Sequence, residues 1–215
     1  MWQTLELGTC ITLDSGVFIF ALSREPSPAQ PVLCGREHAV FGDIEQYPLR
    51  VSEWLAGRAA AKAVLRSAFG LDPRFTEVLP RESGAPEVHV RGALDPTVFL
   101  NITHTRKYAV AAAARFPVGV DVCDDADGHR LERIARRVFS EGEADQCQAH
   151  ASPQHQAAVW ALKEAVLKLR IGGVFDPGAK SVRVLTLEPS RVANQGVEVQ
   201  LLRLPEGMCA VAKNE

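Results

Sequence analysis

The segment from Pro153 to Arg170 constrains the fold most narrowly, because its residue pattern is that of one long helix. Ser152-Pro153 is a typical helix start, and Gly172-Gly173 is a typical helix end. Side chains on one stripe of this helix are apolar and should face a core. They are Ala158, Leu162, Ala165 and Leu169.

A second line on the same helix carries Trp160, Glu164 and Lys168 at intervals of four residues. A solvated face with a Glu–Lys pair would explain the two charges, and such a pair contributes about 0.3–0.5 kcal/mol. Trp160 argues against that interpretation, because a large aromatic side chain rarely lies on a face that only contacts water. We therefore expect this line to form one wall of a cleft.

The order of helices and strands predicts an α/β (α+β) fold. A first helix is expected over Ser52–Phe69, ending at Gly70, and both it and the later helix have strand-like segments on either side. These segments are Thr9–Leu13, Val17–Leu22, Phe75–Leu79, Val98–Ile102, Lys107–Arg115, Val118–Val122, Val182–Leu187, Val197–Leu202 and Met208–Ala212. We expect a pseudo-twofold monomer of two similar halves, 1–110 and 111–215, each with a long helix on a small, mostly antiparallel sheet.

Composition excludes several classes of function. The chain has 24 Lys and Arg against 26 Asp and Glu, whereas a general nucleic-acid binder carries a large cationic excess. The apolar run from Gly16 to Leu22 is too short to cross a bilayer. The N-terminus lacks the pattern of a secretory signal. The 5 cysteines form no CxxC motif, which argues against a structural zinc site or a disulfide framework. We expect a cytoplasmic protein with no nucleic-acid or membrane partner.

Asp121 stands at the end of the apolar strand Gly119-Val120-Asp121-Val122, upstream of Glu164. A lone Asp in this position is usually just a strand end entering a polar turn. A strand-end Asp and a helical Glu can, however, share one hard cation. Magnesium is typically held by one or two carboxylates together with substrate phosphates and water.

These two segments resemble the paired signature of 4′-phosphopantetheinyl transferases of the surfactin-synthetase-activating type. The second segment is Trp160-Ala161-Leu162-Lys163-Glu164-Ala165-Val166-Leu167-Lys168. Three further segments resemble family features in the expected order, and the likeness spans about Ser52 to Gly173. They are Trp54-Leu55-Ala56-Gly57-Arg58, Phe99-Leu100-Asn101-Ile102-Thr103-His104-Thr105, and Phe139-Ser140 with the acidic residues after it.

The resemblance implies transfer of the phosphopantetheine arm of coenzyme A to a serine of an acyl, peptidyl or aryl carrier protein. In such an enzyme, Asp121 and Glu164 would hold Mg²⁺, and Glu164 would accept the serine proton directly or through a water. Lys168 would stabilise the transferring phosphoryl group. The residues that would bind the nucleotide phosphates or assist this binding are Arg58, Thr103, His104, Lys163 and Lys168.

Two departures from the family pattern leave alternatives open. Cys123 stands where the family usually has a second carboxylate, and Ala85 stands where a cationic residue is common. A thiol is a poor magnesium ligand. The chain could therefore bind coenzyme A or carriers without transfer, or act on carrier-bound thioesters through a Cys123–His104 pair. Cys123 could also be a buried small hydrophobe with no chemical role.

A basic helix is expected before the acidic segment, over Arg130–Phe139. Its arginines could steer an acidic carrier protein, or they could form a solvated face. They are Arg130, Arg133, Arg136 and Arg137. After it, Ser140 and Glu143 have the spacing of a helix capping box.

Overall fold

The computed structural model describes residues 2–25, 30–128, 130, 138–140, 142–143, 152–170, 181–194 and 196–215. The described helices are α1 (Glu37–Ile44), α2 (Pro48–Phe69) and α3 (Pro153–Leu169), and a short 3₁₀ turn covers Asp125–Asp127. The strands are β1 (Gln3–Thr4), β2 (Cys10–Thr12), β3 (Phe18–Ser23), β4 (Thr76–Pro80), β5 (Pro86–Val90), β6 (Ala93–Leu94), β7 (Phe99–His104), β8 (Tyr108–Ala114), β9 (Val118–Asp124), β10 (Val184–Leu187), β11 (Ser190–Val192), β12 (Val197–Leu204) and β13 (Gly207–Asn214).

The chain divides into two compact units. The N-terminal unit comprises residues 6–118, and the C-terminal unit comprises residues 1–5 together with 119–215. The first residues of the chain join the C-terminal unit because β1 pairs in parallel with β12.

The N-terminal unit is built around a four-stranded sheet in the order β2-β3-β8-β7, in which every neighbouring pair is antiparallel. The helix α2 packs on this sheet and buries Ala56, Ala60 and Val64 against the small side chains of β8. Gly70, in the left-handed conformation with φ of 69°, ends α2 by donating to carbonyl oxygens of the last turn. A smaller antiparallel sheet in the order β4-β5-β6 completes the unit.

The C-terminal unit contains a four-stranded sheet in the order β1-β12-β13-β9. The helix α3 packs on β13 and β12, and it is buried on nearly all sides rather than on one stripe. Ser152 caps α3 by accepting a hydrogen bond from the backbone N–H of His155, as the sequence predicts. The antiparallel hairpin β10–β11 packs beside β12. The expected α/β class is confirmed.

Each unit holds a buried glutamate–lysine pair of the same design. Glu37 accepts from Lys62 Nζ on α2 at 2.6 Å, and Glu143 accepts from Lys163 Nζ on α3 at 2.8 Å. Each glutamate also accepts from the backbone N–H of the residue 41 positions later, Val78 in the N-terminal unit and Val184 in the C-terminal unit. This is a similarity between the two units that no repeat in the sequence reveals.

Most predicted elements are confirmed, with ends shifted by a few residues. The hairpin of β2 and β3, the strands β7 to β9, and both long helices lie where the residue pattern places them. The helix α1 and the strands β1, β5, β6 and β11 were not predicted. Most of the expected basic helix, including Arg133, Arg136 and Arg137, lies outside the described residues.

No helix in the described part of the chain has the length and apolar character that crossing a bilayer requires.

Candidate active site

The contact between β9 and α3 sets the geometry of the site. Gly119 lies so close to α3 that an added Cβ would overlap the carbonyl oxygen of Ala165 and lie 2.8 Å from the Leu169 backbone nitrogen. Alternate residues of a strand share a face, so Asp121 and Cys123 lie on the same face of β9 as Gly119. The strand therefore presents the Asp121 carboxylate to the helix that carries Glu164 and Lys168.

Asp121 and Lys168 form a direct ion pair across this contact. Lys168 Nζ donates to Asp121 Oδ1 at 2.7 Å and to the Val120 carbonyl oxygen at 3.3 Å. Asp121 is buried in the middle of β9, because the strand continues to Asp124 instead of ending at Asp121 as the sequence predicted. The Lys168 side chain is 26% exposed. Lys168 is thus the more exposed partner of this ion pair.

Glu164 lies on the same helix, one turn before Lys168, and is only 3% exposed. Its Oε1 is buried without a hydrogen-bond partner among the described residues. Burial, followed by the charge of Asp121, raises the pKa of Glu164 to about 7, although Lys168 acts in the opposite direction. A carboxyl group with this pKa can exchange a proton near neutral pH.

A hard divalent cation suits the oxygen atoms of Asp121 and Glu164. Two carboxylates with interacting charges, one of which has an unpartnered oxygen, are the donors that Mg²⁺ uses together with phosphate and water. Within the described residues, no group of three or more His, Cys, Asp or Glu side chains forms a metal site.

No third carboxylate is available from the residues that follow Asp121 on β9. Cys123 is buried in the core against α3, and burial with the nearby Asp121 charge raises the pKa of its thiol far above the ordinary value. Asp124 lies on the opposite face of the strand, and Asp125 is bound by both terminal nitrogens of Arg203 at 2.6–2.7 Å. Cys123 is thus a packed, protonated thiol.

Lys163 has a different environment from the one expected of a phosphate ligand. Its side chain is 0% exposed, its Nζ contacts Glu143 at 2.8 Å, and it also donates to the Val182 carbonyl oxygen. Glu143 itself accepts from the backbone N–H of Ser140 at 2.8 Å, as the predicted capping box requires. These contacts give Lys163 a structural role inside the C-terminal unit, and they leave its ammonium group buried against Glu143 instead of open to a phosphate.

The N-terminal unit contains a cleft of about 290 Å³ beside the start of α2. Its lining brings together two predicted residues, Arg58 and His104, although they are far apart in the sequence. The cleft is lined by Arg50, Glu53, Trp54, Gly57, Arg58, Pro80, Gly84, Pro86, Ile102 and His104. Arg50 was not predicted, although it stands at i, i+4, i+8 spacing with Trp54 and Arg58 and so lies on the same side of α2.

Arg58 is a buried cation in this cleft, with its guanidinium 4.6 Å from the centre of the Trp54 ring. Burial lowers the pKa of Arg58 to about 10, so the side chain remains charged at neutral pH. Its Nε is buried without a hydrogen-bond partner among the described residues. Thr103 lies on the opposite face of β7 from Ile102 and His104 and does not line the cleft.

The sequence profile of the 4′-phosphopantetheinyl transferase superfamily matches residues 117–207. A holo-[acyl-carrier-protein] synthase of Geobacillus kaustophilus is 38% identical over 96 residues, which are 42% of this chain and 72% of the relative. The chain belongs to the 4′-phosphopantetheinyl transferase superfamily.

Other relatives within this superfamily carry related names. A holo-[acyl-carrier-protein] synthase of Bacillus pumilus is 33% identical over 42% of this chain and 78% of that protein. A 4′-phosphopantetheinyl transferase of Bacillus subtilis is 30% identical over 55% of this chain and 49% of that protein. A solved acyl carrier protein synthase of Mycobacterium tuberculosis is 27% identical to this chain, with a TM-score of 0.34. The match covers 46% of this chain and 96% of that protein.

The superfamily match at residues 117–207 includes Asp121, Glu164 and Lys168. The cleft residues Arg58 and His104 lie before it. Their assignment therefore depends on the cleft geometry and on the resemblance of the individual motifs.

Proposed function

We propose that this chain transfers the 4′-phosphopantetheine arm of coenzyme A to a serine of a carrier protein. Membership of the superfamily supports this class of reaction, and the relatives named holo-[acyl-carrier-protein] synthase support an acyl carrier protein as acceptor. The observation that carries the proposal is the grouping of Asp121, Glu164 and Lys168 where β9 meets α3.

The reaction is a substitution at phosphorus. The serine hydroxyl oxygen forms a bond to the β-phosphate of coenzyme A, and the bond from that phosphorus to the bridging oxygen breaks. The products are the phosphopantetheinyl serine and adenosine 3′,5′-bisphosphate. Catalysis of this kind consists mainly of positioning the reactants and neutralising the charge that develops on oxygen.

Glu164 is the residue suited to accept the serine proton. Before a cation binds, burial and the Asp121 charge raise the pKa of Glu164 to about 7, so its carboxylate is then a stronger base than that of an exposed glutamate. Its unpartnered Oε1 leaves an acceptor available for the hydroxyl group. A carboxylate held in a buried helix also has little freedom to turn away.

Lys168 supplies positive charge for the transferring phosphoryl group. Its ammonium is held at the same carboxylate as the proposed cation and can reach solvent. Asp121 and Glu164 would hold Mg²⁺, and magnesium supplies charge neutralisation at a diphosphate when it is bound.

The cleft of the N-terminal unit is suited to the nucleotide phosphates of coenzyme A. Arg50 and Arg58 contribute two guanidinium groups, and His104 adds a further nitrogen donor. Glu53 also lines the cleft, but it lies 3.7 Å from Arg24, which offsets its charge. Arg50 and Arg58 thus supply positive charge to the cleft, although Ala85 stands where the family commonly has a cationic residue.

The carrier protein would be an acyl, peptidyl or aryl carrier of fatty acid, polyketide or non-ribosomal peptide synthesis. The resemblance to the surfactin-synthetase-activating type supports a role in secondary metabolite biosynthesis. We propose that this chain acts there as a cytoplasmic monomer. Arg130, paired with Asp127 at 2.9 Å, is the described member of the basic segment proposed to attract an acidic carrier.

Thioester chemistry at Cys123 is less well supported than phosphopantetheine transfer. A nucleophilic cysteine needs a lowered pKa and access to its substrate. The Cys123 thiol is buried, and its pKa is raised by burial and by neighbouring aspartates.

The test is to incubate the full chain with coenzyme A, Mg²⁺ and a panel of apo carrier proteins, and then to measure each intact carrier mass. We expect at least one carrier to gain a single phosphopantetheinyl group. If a reference transferase modifies every carrier and this chain modifies none, transfer is disproved. Retained binding of coenzyme A under those conditions would then support a non-catalytic binding protein.

A further inference from the structure

Resting on the function proposed above, we propose that Lys168 is an exchangeable counterion of Asp121. Its ammonium group competes with the divalent cation for this carboxylate and transfers to the diphosphate when coenzyme A binds. Binding of the nucleotide would thereby make the cation site available.

The contacts of Lys168 place it in the position of a resident cation. Nζ lies 2.7 Å from Asp121 Oδ1, which is the length of a charge-assisted hydrogen bond. The Val120 carbonyl oxygen, at 3.3 Å, is a second acceptor from the same strand. A metal ion bound at Asp121 would therefore meet a positive charge already paired with its ligand, and the two cations would repel each other.

Differences in burial indicate which partner moves. Asp121 belongs to a strand whose backbone touches α3 at Gly119, and its side chain is 9% exposed. The Lys168 side chain is 26% exposed and has a flexible four-carbon stem. Lys168 can therefore leave Asp121 by side-chain rotation alone, whereas a shift of the carboxylate would require the packed strand to move.

A diphosphate is a stronger attractor for this ammonium than one carboxylate, because it carries more charge on more oxygen atoms. Once Lys168 has moved, the Asp121 Oδ1 that it occupied can bind the cation. Binding of coenzyme A and binding of the cation should thus favour each other, and linkage requires the effect to be equal in both directions.

The test measures binding of Mn²⁺ alone by electron paramagnetic resonance, without coenzyme A, to the wild-type chain and to K168M. The matched control is R191M, which removes one positive charge from an exposed position on β11 of the same unit. We expect K168M to bind Mn²⁺ about fivefold more tightly than the wild type, on the scale of a partly exposed ion pair. R191M should bind as the wild type does.

An equal or weaker Mn²⁺ affinity of K168M would overturn the proposal, as would the same gain in R191M. K168Q, which retains a polar side chain, provides the comparison if K168M does not fold. In a second titration, saturating coenzyme A should raise the Mn²⁺ affinity more in the wild type than in K168M. An equal increase in both proteins would also overturn counterion exchange.

The two proposals fail in different ways. Transfer of the arm to a carrier, combined with unchanged Mn²⁺ affinity in K168M, disproves counterion exchange and leaves the function intact. Tighter Mn²⁺ binding by K168M, combined with no transfer to any carrier, supports the exchange and disproves the transferase function.

Discussion

The backbone of Gly119 on β9 lies directly against the carbonyl oxygen of Ala165 on α3, with no room for a side chain between them. This contact sets how closely β9 lies against α3. Asp121, two residues further along the same face, consequently lies beside Lys168 and Glu164. The site therefore depends on a glycine that has no chemical group of its own.

Substituting Gly119 with alanine should disrupt this contact. The new Cβ would overlap the Ala165 carbonyl oxygen, which belongs to the backbone and cannot rotate away. We expect G119A to lower the free energy of unfolding by about 2 kcal/mol or more, as overpacked core positions do. Urea unfolding would measure the change.

Gly42 on α1 offers a matched control, because an added Cβ there would meet nothing within 4 Å. G42A should be neutral or stabilising by up to about 1 kcal/mol, since alanine favours helix over glycine. Equal losses in both variants would contradict the close-contact explanation.

Replacing Glu164 with glutamine should stabilise the protein at high pH. The pKa of Glu164 is about 7 in the folded protein and near 4.5 in the unfolded chain, so the folded state holds this proton more tightly. The associated stability is present below pH 4.5 and is lost as the pH rises through 7. Glutamine keeps the neutral form at every pH.

In the absence of divalent cations, the free energy of unfolding of E164Q should exceed that of the wild type by roughly 3 kcal/mol at pH 8. The difference should shrink to about 1 kcal/mol or less at pH 5. Glu198 is more than half exposed and gives the control variant E198Q, which should change stability by less than about 0.5 kcal/mol. A difference between E164Q and wild type that does not vary with pH would refute the burial effect.

Removing the charge of Lys163 should destabilise the protein without changing its affinity for coenzyme A. K163M would leave Glu143 buried without its cation, a change that costs about 3–5 kcal/mol. The comparison is K213M, whose pair with Glu198 lies at the surface and should contribute less than about 1 kcal/mol.

Coenzyme A affinity should be measured on the folded fraction of K163M by calorimetry. We expect it to equal the wild-type affinity. A large loss of affinity with unchanged stability would restore Lys163 to the phosphate-binding residues.

We expect two substitutions at the cleft of the N-terminal unit to change the affinity for coenzyme A in opposite directions. R58A should weaken binding of coenzyme A at least about tenfold, because a charge-assisted hydrogen bond to phosphate is removed. A85K adds a cation between Gly84 and Pro86, which line the cleft, and should strengthen binding by a few-fold. Arg74, an exposed residue paired with Asp72, supplies the control R74A. A loss in R74A as large as that in R58A would show a general charge effect instead.

The sequence was sufficient to predict that Asp121, Glu164 and Lys168 lie together, because their motifs place Asp121 on a strand and the other two on one line of a helix. It placed the end of that strand too early, since β9 continues to Asp124. It also did not separate Lys163 from these three residues. Helical periodicity marks a buried side only when the other side is exposed, and α3 is buried on nearly all sides. The pairing of Lys163 with Glu143 depends on how distant segments pack.

The same limit applies to the N-terminal unit. The pair of Glu37 and Lys62 joins α2 to α1. The sequence did not predict α1, because its apolar residues show only a weak helical pattern. Arg58 and His104 could be predicted from motifs, whereas Arg50 belongs to none of these motifs and only its helical spacing from Arg58 indicates a place in the same cleft.

The most direct test of the account is the single-turnover rate of arm transfer to an apo carrier, at saturating coenzyme A and Mg²⁺, for the wild type and E164Q. We predict that E164Q retains its fold and its binding of coenzyme A but transfers the arm at least about a hundredfold more slowly, because the proton acceptor is gone. E198Q should transfer at the wild-type rate. A wild-type rate in E164Q would contradict the assignment of the site to the meeting of β9 and α3.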